Sequence, residues 1–314
     1  MNPTPQTFDV VTVTLNPAID CTITIPNFTA GAVNRVEAER SNPGGKGVNV
    51  AAALADYGHR VAVTGFLGRE NATSFEALFA GKQIADHFIR IDGQTRTGIK
   101  ITDPDLHQTT DINFPGPAPT PADLDALLTQ LDSLDAKYFV LAGSLPAGVD
   151  PAIYGQFIQR LRTRGRRTVV DTSGEALRHA IEARPYLIKP NLHELETLLG
   201  ETVTGIPAVI KAARQLNASG IERVVVSMGK AGSCLVTSDE AVIATPPDVE
   251  VRSTVGAGDA MVAGLIAGEL EDRTLRRCAL LATAFSLDVL IRGSSGLGSR
   301  AEIESLIERV TATD

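Results

Sequence analysis

The sequence predicts an α/β fold in which a doubly wound, mainly parallel β-sheet is flanked by helices on both faces. Short β-rich segments alternate with helical segments along the chain. Several β-rich segments are continuously apolar, which is typical of strands covered on both faces by crossover helices. The chain has 314 residues, of which 43% are hydrophobic. This is enough apolar mass for one large core, so we expect a single domain over residues 1–314.

Six segments are predicted to form the strands of the main sheet. They are rich in valine and other β-forming residues, and turn or helical residues bound them. In chain order they span residues 9–15, 59–68, 136–143, 166–173, 186–191 and 222–229.

Four segments between these strands have a helical pattern. Gly165 and Gly200 stand where two of the helices are expected to stop, and beyond Asp259 the pattern is mostly helical. A capping side chain followed by proline marks two of the helix starts, at Thr120 before Pro121 and at Asp150 before Pro151. The four segments span residues 48–58, 120–134, 150–165 and 193–200.

Two segments, about residues 21–42 and 94–117, interrupt the alternation. Both have the pattern of alternating β-ribbons with turns, and neither contains a crossover helix. We therefore expect them to pair into a small separate β-sheet that projects over one edge of the main sheet. A flap in that position is a candidate lid.

Composition and charge exclude several classes of protein. The net charge of -8 argues against an extended nucleic-acid interface, because clustered lysines and arginines bind the phosphate backbone. Cys21, Cys234 and Cys278 are far apart in sequence, so neither a disulfide framework nor a zinc site is expected. The N-terminal residues lack a signal-peptide pattern, and no apolar run reaches the roughly 20 residues of a membrane span. We expect a cytoplasmic protein without a membrane or nucleic-acid partner.

Two glycine-rich loops stand directly before helices, where ligands of parallel α/β sheets bind. The loop NPGGKGVN, residues 42–49, allows close approach of the backbone to a ligand. In STVGAGDAMVAG, residues 253–264, the amides of Gly256, Ala257 and Gly258 are expected to point into one spot at a helix N-terminus. The helix dipole favours negative charge at that spot, which suits a phosphate or a transition-state anion.

Asp259 follows these amides directly. A carboxylate beside a bound polyphosphate repels it, so the position is better explained if Asp259 accepts the proton of an attacking hydroxyl group. The alternative is an acid that only stabilises the helix terminus, by less than about 1 kcal/mol. The chain lacks the signatures of P-loop enzymes, dinucleotide oxidoreductases and protein kinases, which argues against those classes.

The segments NPGGKGVNVAAAL and STVGAGDAMVAG resemble the two signatures of the phosphofructokinase B family of ribokinase-like sugar kinases. The resemblance continues in the same order through TLNPAID, GSLPAGV, DTSGEAL, KPNLHEL and SMGKAGS, so it covers almost the whole chain. It implies a ribokinase-like fold and an ATP-dependent kinase.

The resemblance implies roles for single residues on the nucleotide side. Asp259 corresponds to the catalytic base, and the amides of Gly256, Ala257 and Gly258 correspond to the anion hole. Mg²⁺ is the implied metal, and a monovalent cation is a further implied cofactor. The resemblance implies that Lys189 binds the nucleotide phosphates and that Asn191 and Glu194 order Mg²⁺ through water. The other implied ATP-binding residues are Asn191, Ser227, Gly229, Gly232, Thr254, Gly256 and Gly258.

On the acceptor side, the resemblance implies that Asp20 binds sugar hydroxyl groups. Arg35 and Arg96, in the two lid segments, correspond to phosphate-binding arginines, and the alternative for each is a solvated surface cation. The other implied acceptor residues are Gly45, Lys46, Asn49, Ser144 and Asp259.

TLNPAID, GSLPAGV and TRTGIK resemble the branch of the family that acts on ketohexose phosphates, and TTDINFPGP favours fructose 1-phosphate as the acceptor. The product is then fructose 1,6-bisphosphate. Kinases of tagatose 6-phosphate or fructose 6-phosphate in the same family are the alternatives. A non-catalytic nucleotide- or sugar-binding regulator is disfavoured, because Asp259 is present with its full glycine frame. The family resemblance also suggests a homodimer formed through the lid.

Overall fold

The computed structural model describes residues 7–293 and 296–314, which form fifteen strands and ten α-helices. The strands are β1 Thr7–Thr14, β2 Ala18–Thr24, β3 Ala38–Gly44, β4 Val61–Gly68, β5 Ala85–Asp86, β6 Ile89–Ile91, β7 Arg96–Asp103, β8 Gln108–Asn113, β9 Asp135–Ala142, β10 Arg167–Asp171, β11 Leu187–Ile188, β12 Arg223–Ser227, β13 Ser233–Val236, β14 Ala241–Thr245 and β15 Thr311–Thr313. The helices are α1 Lys46–Asp56, α2 Thr73–Gly81, α3 Pro121–Ser133, α4 Ile153–Thr163, α5 Gly174–Glu182, α6 Leu192–Leu199, α7 Ile206–Ala218, α8 Ala257–Leu270, α9 Leu275–Arg292 and α10 Arg300–Ile307.

The main sheet has the strand order β15-β14-β13-β12-β11-β10-β9-β1-β4-β5, with β6 paired to β4. The strands from β12 to β5 are parallel. The six predicted strands lie in this part, so the prediction of a mainly parallel α/β sheet is confirmed. The strands β13, β14 and β15 extend one edge in antiparallel order and were not predicted.

Apolar side chains alternate between the two faces of the parallel strands. In β1, Val10 packs into one core, and Val11 and Val13 pack into the other. The first core lies against α1, α2, α8, α9 and α10, and the second lies against α3 to α7. Because helices cover both faces, these strands read as continuous apolar runs in the sequence.

The helix-capping predictions had different outcomes. Thr120 caps α3 as predicted: its hydroxyl accepts a hydrogen bond from the amide of Asp123, whose carboxylate accepts one from the amide of Thr120. The prediction that Asp150 caps a helix with Pro151 at the first position was wrong, since α4 begins at Ile153. The Asp150 carboxylate instead accepts from the amide of Ala152 at 2.8 Å and closes a turn before the helix.

A separate four-stranded sheet has the order β3-β2-β7-β8. Strand β2 pairs antiparallel with β3 and parallel with β7, and β7 pairs antiparallel with β8. The predicted small sheet is therefore confirmed. Its first ribbon is longer than the predicted segment 21–42, because β2 begins at Ala18 and β3 ends at Gly44.

The longest described helix is α9, with 18 residues. None of the helices within residues 7–293 and 296–314 is both long and apolar enough to cross a membrane. The three cysteines are free thiols, and Cys234 and Cys278 are buried.

Candidate active site

The strand order places a crevice at the carboxyl end of β1. Strand β1 lies between β4 and β9 in the sheet. The main-sheet strand that follows β1 is therefore added on one side of it, and the strands from β9 onward are added on the other side. A crevice opens at such a reversal, outside the carboxyl ends of the strands. Asn16 follows β1, and Gly143 and Ser144 follow β9. All three line one cavity of about 360 Å³, and residues of the small sheet line it from the other side.

The structure brings most of the predicted acceptor residues together in this cavity. Arg35 is not among its described lining residues, because it is exposed in the loop between β2 and β3. The predicted residues that line the cavity are Asp20, Gly45, Lys46, Asn49, Arg96, Ser144, Gly256 and Asp259.

Helix α1 supplies two polar groups to the site from its first turn. Gly45 precedes the helix with a φ of 112°, and a Cβ atom there would lie 3.0 Å from Cα of Pro17. Only glycine allows this close approach in the left-handed region. Lys46 and Asn49, three residues apart, therefore lie on the same side of the helix at the cavity.

Asp259 lies in the first turn of α8 and is only 7% exposed. Its Oδ2 accepts a hydrogen bond of 2.8 Å from Nδ2 of Asn49, 210 positions earlier in the chain. Burial, together with the charge of Asp171, raises the pKa of Asp259 to about 6, against the opposing effects of Lys46, Asn49 and Lys189. A carboxyl group with this pKa is mostly ionised at pH 7, yet it is a stronger base than an ordinary aspartate.

The N-terminus of α8 lies beside Asp259. Gly256 precedes the helix with a φ of 79° and lines the cavity. The first amides of a helix have no acceptor four residues earlier, so they are available to an anion. The amide of Ala257 makes only a long contact of 3.4 Å to the carbonyl oxygen of Thr254. The local arrangement suits an anion site, and its role stays a prediction.

Asp20 occupies space that glycine leaves in the neighbouring strand. A Cβ atom on Gly44 would lie 2.1 Å from Oδ2 of Asp20. Burial raises the pKa of Asp20, while the charges of Arg96 and Lys100 lower it. The carboxylate thus lies in the cavity between two cations of β7.

Arg96 is oriented by two residues that the sequence analysis did not assign. Its Nε donates to the carbonyl oxygen of Asn16 at 3.3 Å, and its Nη1 donates to Oδ1 of Asn113 at 3.4 Å. Asn16 also donates from Nδ2 to Oγ of Ser144 at 3.3 Å. Asn16 and Asn113 were missed, although TLNPAID and TTDINFPGP contain them.

The predicted nucleotide residues lie further along the same edge of the main sheet. Lys189 and Asn191 follow β11, and Ser227 ends β12 and forms a parallel bridge with Asn191. Gly229 and Gly232 lie in the turn between β12 and β13. Acceptor and nucleotide residues therefore lie at successive strand ends.

Two observations place the nucleotide residues close to the acceptor cavity. A Cβ atom on Gly258 would lie 3.7 Å from Nζ of Lys189, so this ammonium group lies beside the start of α8. Thr254 lines a second cavity of about 570 Å³, which shares Asp20 and Asn49 with the first. The two cavities therefore adjoin each other at the end of α8 that carries Asp259.

Asn191 and Glu194 form the capping box of α6. Oδ1 of Asn191 accepts from the amide of Glu194 at 2.8 Å, and Oε2 of Glu194 accepts from the amide of Asn191 at 2.9 Å. Within the described ranges, no group of three or more His, Cys, Asp or Glu side chains can hold a metal ion. Mg²⁺ keeps much of its water and needs only one or two carboxylates. The second carboxylate oxygen of Glu194 fits that mode of binding.

Asp171, at the end of β10, is the buried acid that the sequence analysis left without a role. Its Oδ1 lies 3.0 Å from Nζ of Lys46 and 3.4 Å from Nζ of Lys189. Burial opposes ionisation, but the two lysines hold the pKa of Asp171 below its ordinary value. An aspartate at the end of a buried strand, in DTSGEAL, is the signal that could have identified it.

Residues 10–298 match the family model described as pfkB family carbohydrate kinase. The chain belongs to this family. The predicted family membership, the ribokinase-like fold and the expectation of a sugar kinase are thereby confirmed.

Relatives of this pfkB kinase are known by sequence and by structure. The chain is 52% identical to a 1-phosphofructokinase of Rhodobacter capsulatus, over 91% of each chain. It is 46% identical to a 1-phosphofructokinase of Xanthomonas campestris pv. campestris, over 92% of this chain and 93% of the relative. Phosphofructokinase-2 of Escherichia coli has been solved in complex with fructose-6-phosphate (28% identity, TM-score 0.88) and with potassium (29%, TM-score 0.89), and each comparison covers 96% of this chain and 98% of the other.

Proposed function

We propose that this pfkB kinase transfers the γ-phosphoryl group of ATP to the 6-hydroxyl group of fructose 1-phosphate, giving ADP and fructose 1,6-bisphosphate. The observation that carries the proposal is a single cavity that contains a buried carboxylate, Asp259, and a guanidinium group, Arg96. A base and a phosphate-binding group in one cavity suit a phosphorylated sugar. The two relatives named 1-phosphofructokinase support this choice of acceptor.

In the proposed reaction, Asp259 is the general base. Asn49 donates to Oδ2, which leaves Oδ1 of Asp259 for the hydroxyl proton. The hydroxyl oxygen attacks the γ-phosphorus as Asp259 accepts its proton, and a new oxygen–phosphorus bond forms. The bond from the γ-phosphorus to the β,γ-bridging oxygen breaks, and ADP leaves with the electron pair.

The nucleotide phosphates are proposed to bind between Lys189 and the first amides of α8. Lys189 is only 5% exposed, and its ammonium group lies beside that helix start. The helix dipole and the free amides stabilise negative charge there, both in the bound nucleotide and in the transferring group.

Bound to the nucleotide, Mg²⁺ would neutralise part of the negative charge of the phosphates. Asn191 and Glu194 are proposed to orient its water ligands, because they lie next to Lys189 in sequence and Glu194 has one carboxylate oxygen outside the capping box. A monovalent cation is a second proposed cofactor, supported by the E. coli phosphofructokinase-2 complex with potassium.

A substrate panel tests the proposed acceptor. Turnover with ATP and Mg²⁺ is measured by coupled ADP release for fructose 1-phosphate, fructose 6-phosphate, tagatose 6-phosphate, fructose and ribose. We expect the highest kcat/KM with fructose 1-phosphate. A higher kcat/KM with another phosphosugar would mean that this other sugar is the acceptor. No turnover with any of the five sugars would contradict the proposed kinase reaction.

The pH dependence of kcat reports the proposed base. Because the pKa of Asp259 is raised to about 6, the carboxyl group is protonated below that pH and cannot accept the hydroxyl proton. We expect kcat to fall as the pH drops through about 6, and kcat measured from pH 4.5 to 8 checks this. A profile that stays flat down to pH 5 would contradict the assignment.

Glu194→Gln is expected to raise the Mg²⁺ concentration needed for half-maximal rate by about 5-fold, since a charged acceptor binds metal-bound water about 1 kcal/mol better than a neutral one. The capping box survives, because a glutamine oxygen also accepts from the amide of Asn191. The matched control is Glu201→Gln, at an exposed glutamate. Mg²⁺ titrations of the wild type, Glu194→Gln and Glu201→Gln provide the measurement. An unchanged titration would leave Glu194 as a helix cap only.

The homodimer is proposed to form through the outer face of the small sheet. Asp111 and Asn113 line the cavity, so the alternation of side chains along β8 directs Ile112 to the opposite face. Cys21, Ile99 and Ile112 are in register across three neighbouring strands. Ile112 is exposed and its neighbours Cys21 and Ile99 are half-buried, and apolar side chains left exposed on a sheet face are candidate interface contacts.

Ile112→Lys is expected to shift the protein from dimer to monomer, because it places a charge in the apolar face. Light scattering after size-exclusion chromatography measures the mass. Ile206→Lys, at an exposed isoleucine at the start of α7, is the control that should not change the mass. A wild-type monomer, or a dimer that survives Ile112→Lys, would refute the proposed interface.

A further inference from the structure

The carboxyl edge of the main sheet places one buried carboxylate between the two substrate sides. Acceptor residues follow β1 and β9, and the proposed nucleotide residues follow β11 and β12. Strand β10 lies between these two groups and ends at Asp171. The Asp171 side chain is only 1% exposed, so almost none of its surface is available for direct contact with either substrate.

Two lysines reach Asp171 from opposite sides. Lys46, from α1, lines the acceptor cavity with a side chain that is 39% exposed, and its Nζ donates to Oδ1 of Asp171 at 3.0 Å. Lys189, from the nucleotide side, forms an ion pair of 3.4 Å with the same oxygen. In the part of the chain that the structure describes, Oδ2 of Asp171 has no hydrogen-bond partner.

A buried cluster of this kind is poor as a purely stabilising device. Burying the charges of Asp171 and Lys189 costs several kcal/mol for each ion, and apolar side chains of similar size are often as stable or more so. One unsatisfied carboxylate oxygen adds to the cost. The arrangement makes physical sense if the position of the two ammonium groups is what matters.

We propose that Asp171 is a positioning residue for phosphoryl transfer, which holds the ammonium groups of Lys46 and Lys189 on the two sides of the path between nucleotide and acceptor. The inference rests on the proposed kinase reaction. As the bond to the acceptor oxygen forms and the bond to the bridging oxygen of ADP breaks, charge spreads over the three equatorial oxygens of the phosphoryl group. Ammonium groups held in place beforehand stabilise that charge without reorganisation.

The same cluster controls the proposed base. The charged groups that act on Asp259 are Asp171 from β10, Lys46 from α1 and Lys189 after β11, and Asn49 donates a hydrogen bond to it. The charge of Asp171 raises the pKa of Asp259, and the charge of Lys46 lowers it. Removing these two charges one at a time is therefore expected to move the pKa of Asp259 in opposite directions.

The first test is a double-mutant cycle of Asp171→Asn and Lys46→Met, measured with the sugar that the wild type phosphorylates fastest. We expect Asp171→Asn to lower kcat by about 10- to 100-fold with KM for both substrates changed by less than about 3-fold, because the lost interaction acts in the transition state. If Asp171 acts through Lys46, the double variant loses little more than the worse single variant. Losses that multiply would overturn the proposal.

The second test is the acid limb of the kcat profile. We expect this limb to move to lower pH in Asp171→Asn and to higher pH in Lys46→Met. Unshifted limbs, or shifts in the same direction, would refute the control of Asp259 by the charges of this cluster. Lys46 is partly exposed, so Lys46→Met is expected to fold even if Asp171→Asn does not, and an unchanged kcat in Lys46→Met would then overturn the proposal, because Asp171 is proposed to act through Lys46.

Glu269→Gln is the matched control. Glu269 is a buried carboxylate whose Oε1 lies 2.8 Å from Nε of Arg223, and it is ten residues, or about 15 Å, along α8 from Asp259. We expect Glu269→Gln to lower the melting temperature without moving the acid limb. If fructose 1-phosphate is not the preferred acceptor, the proposed acceptor fails, while the Asp171 tests proceed with the sugar that is preferred.

Discussion

Asp259→Asn is expected to lower kcat by about 100-fold or more, which is the usual scale for loss of a general base. Asparagine keeps the size of the side chain and still accepts the hydrogen bond from Asn49, but it cannot take the hydroxyl proton. KM for ATP should change little, because the amides at the start of α8 and Lys189 are intact. Steady-state kinetics with saturating substrates measures the loss.

Two controls make the Asp259 result specific. ATP binding to Asp259→Asn, followed by calorimetry, should match the wild type, which excludes a damaged nucleotide site. Glu269→Gln, at the other end of α8, should retain nearly full turnover. Turnover close to the wild-type rate in Asp259→Asn would mean that another group accepts the proton.

Arg96→Ala is expected to raise KM for fructose 1-phosphate by roughly 10- to 150-fold and to leave KM for ATP almost unchanged. A charge-assisted hydrogen bond to phosphate contributes about 1.5 to 3 kcal/mol, which corresponds to this range. The contacts of Arg96 with Asn16 and Asn113 hold the guanidinium group in the cavity before substrate binds. Arg96→Lys should recover only part of the loss, because an ammonium group cannot bind two phosphate oxygens side by side.

The acceptor without a phosphate is the control for Arg96. Any activity toward free fructose should fall little in Arg96→Ala, since fructose has no phosphate to bind. Arg35→Ala is the matched variant: Arg35 is exposed and lies away from the described cavity lining, so its effect on KM should be smaller. Equal losses with both sugars would show that Arg96 supports the small sheet instead of binding phosphate.

Local patterns in the sequence were enough to predict the class of fold. Buried parallel strands are apolar on both faces, so the six strands of the main sheet were visible as continuous runs, and Thr120 marked the start of α3. The antiparallel strands β13 to β15 were not predicted, since all three have five residues or fewer and β15 also follows a long helical region. The start of α4 was wrong because Asp150 closes a turn as readily as it caps a helix.

The sequence by itself determined the α/β class, the family resemblance and the residue types of the two glycine-rich loops. Only the tertiary structure decided which side chains meet: the bond between Asn49 and Asp259, the sharing of Asp171 by Lys46 and Lys189, and the position of Arg35 outside the cavity lining. The physical reason is that residue periodicity reports which face of an element is buried, whereas contacts between distant residues depend on strand order and on how the helices pack. In the sequence, Asp171 is only the last residue of an apolar segment. Its place between the acceptor and nucleotide residues follows from the position of β10 between β9 and β11.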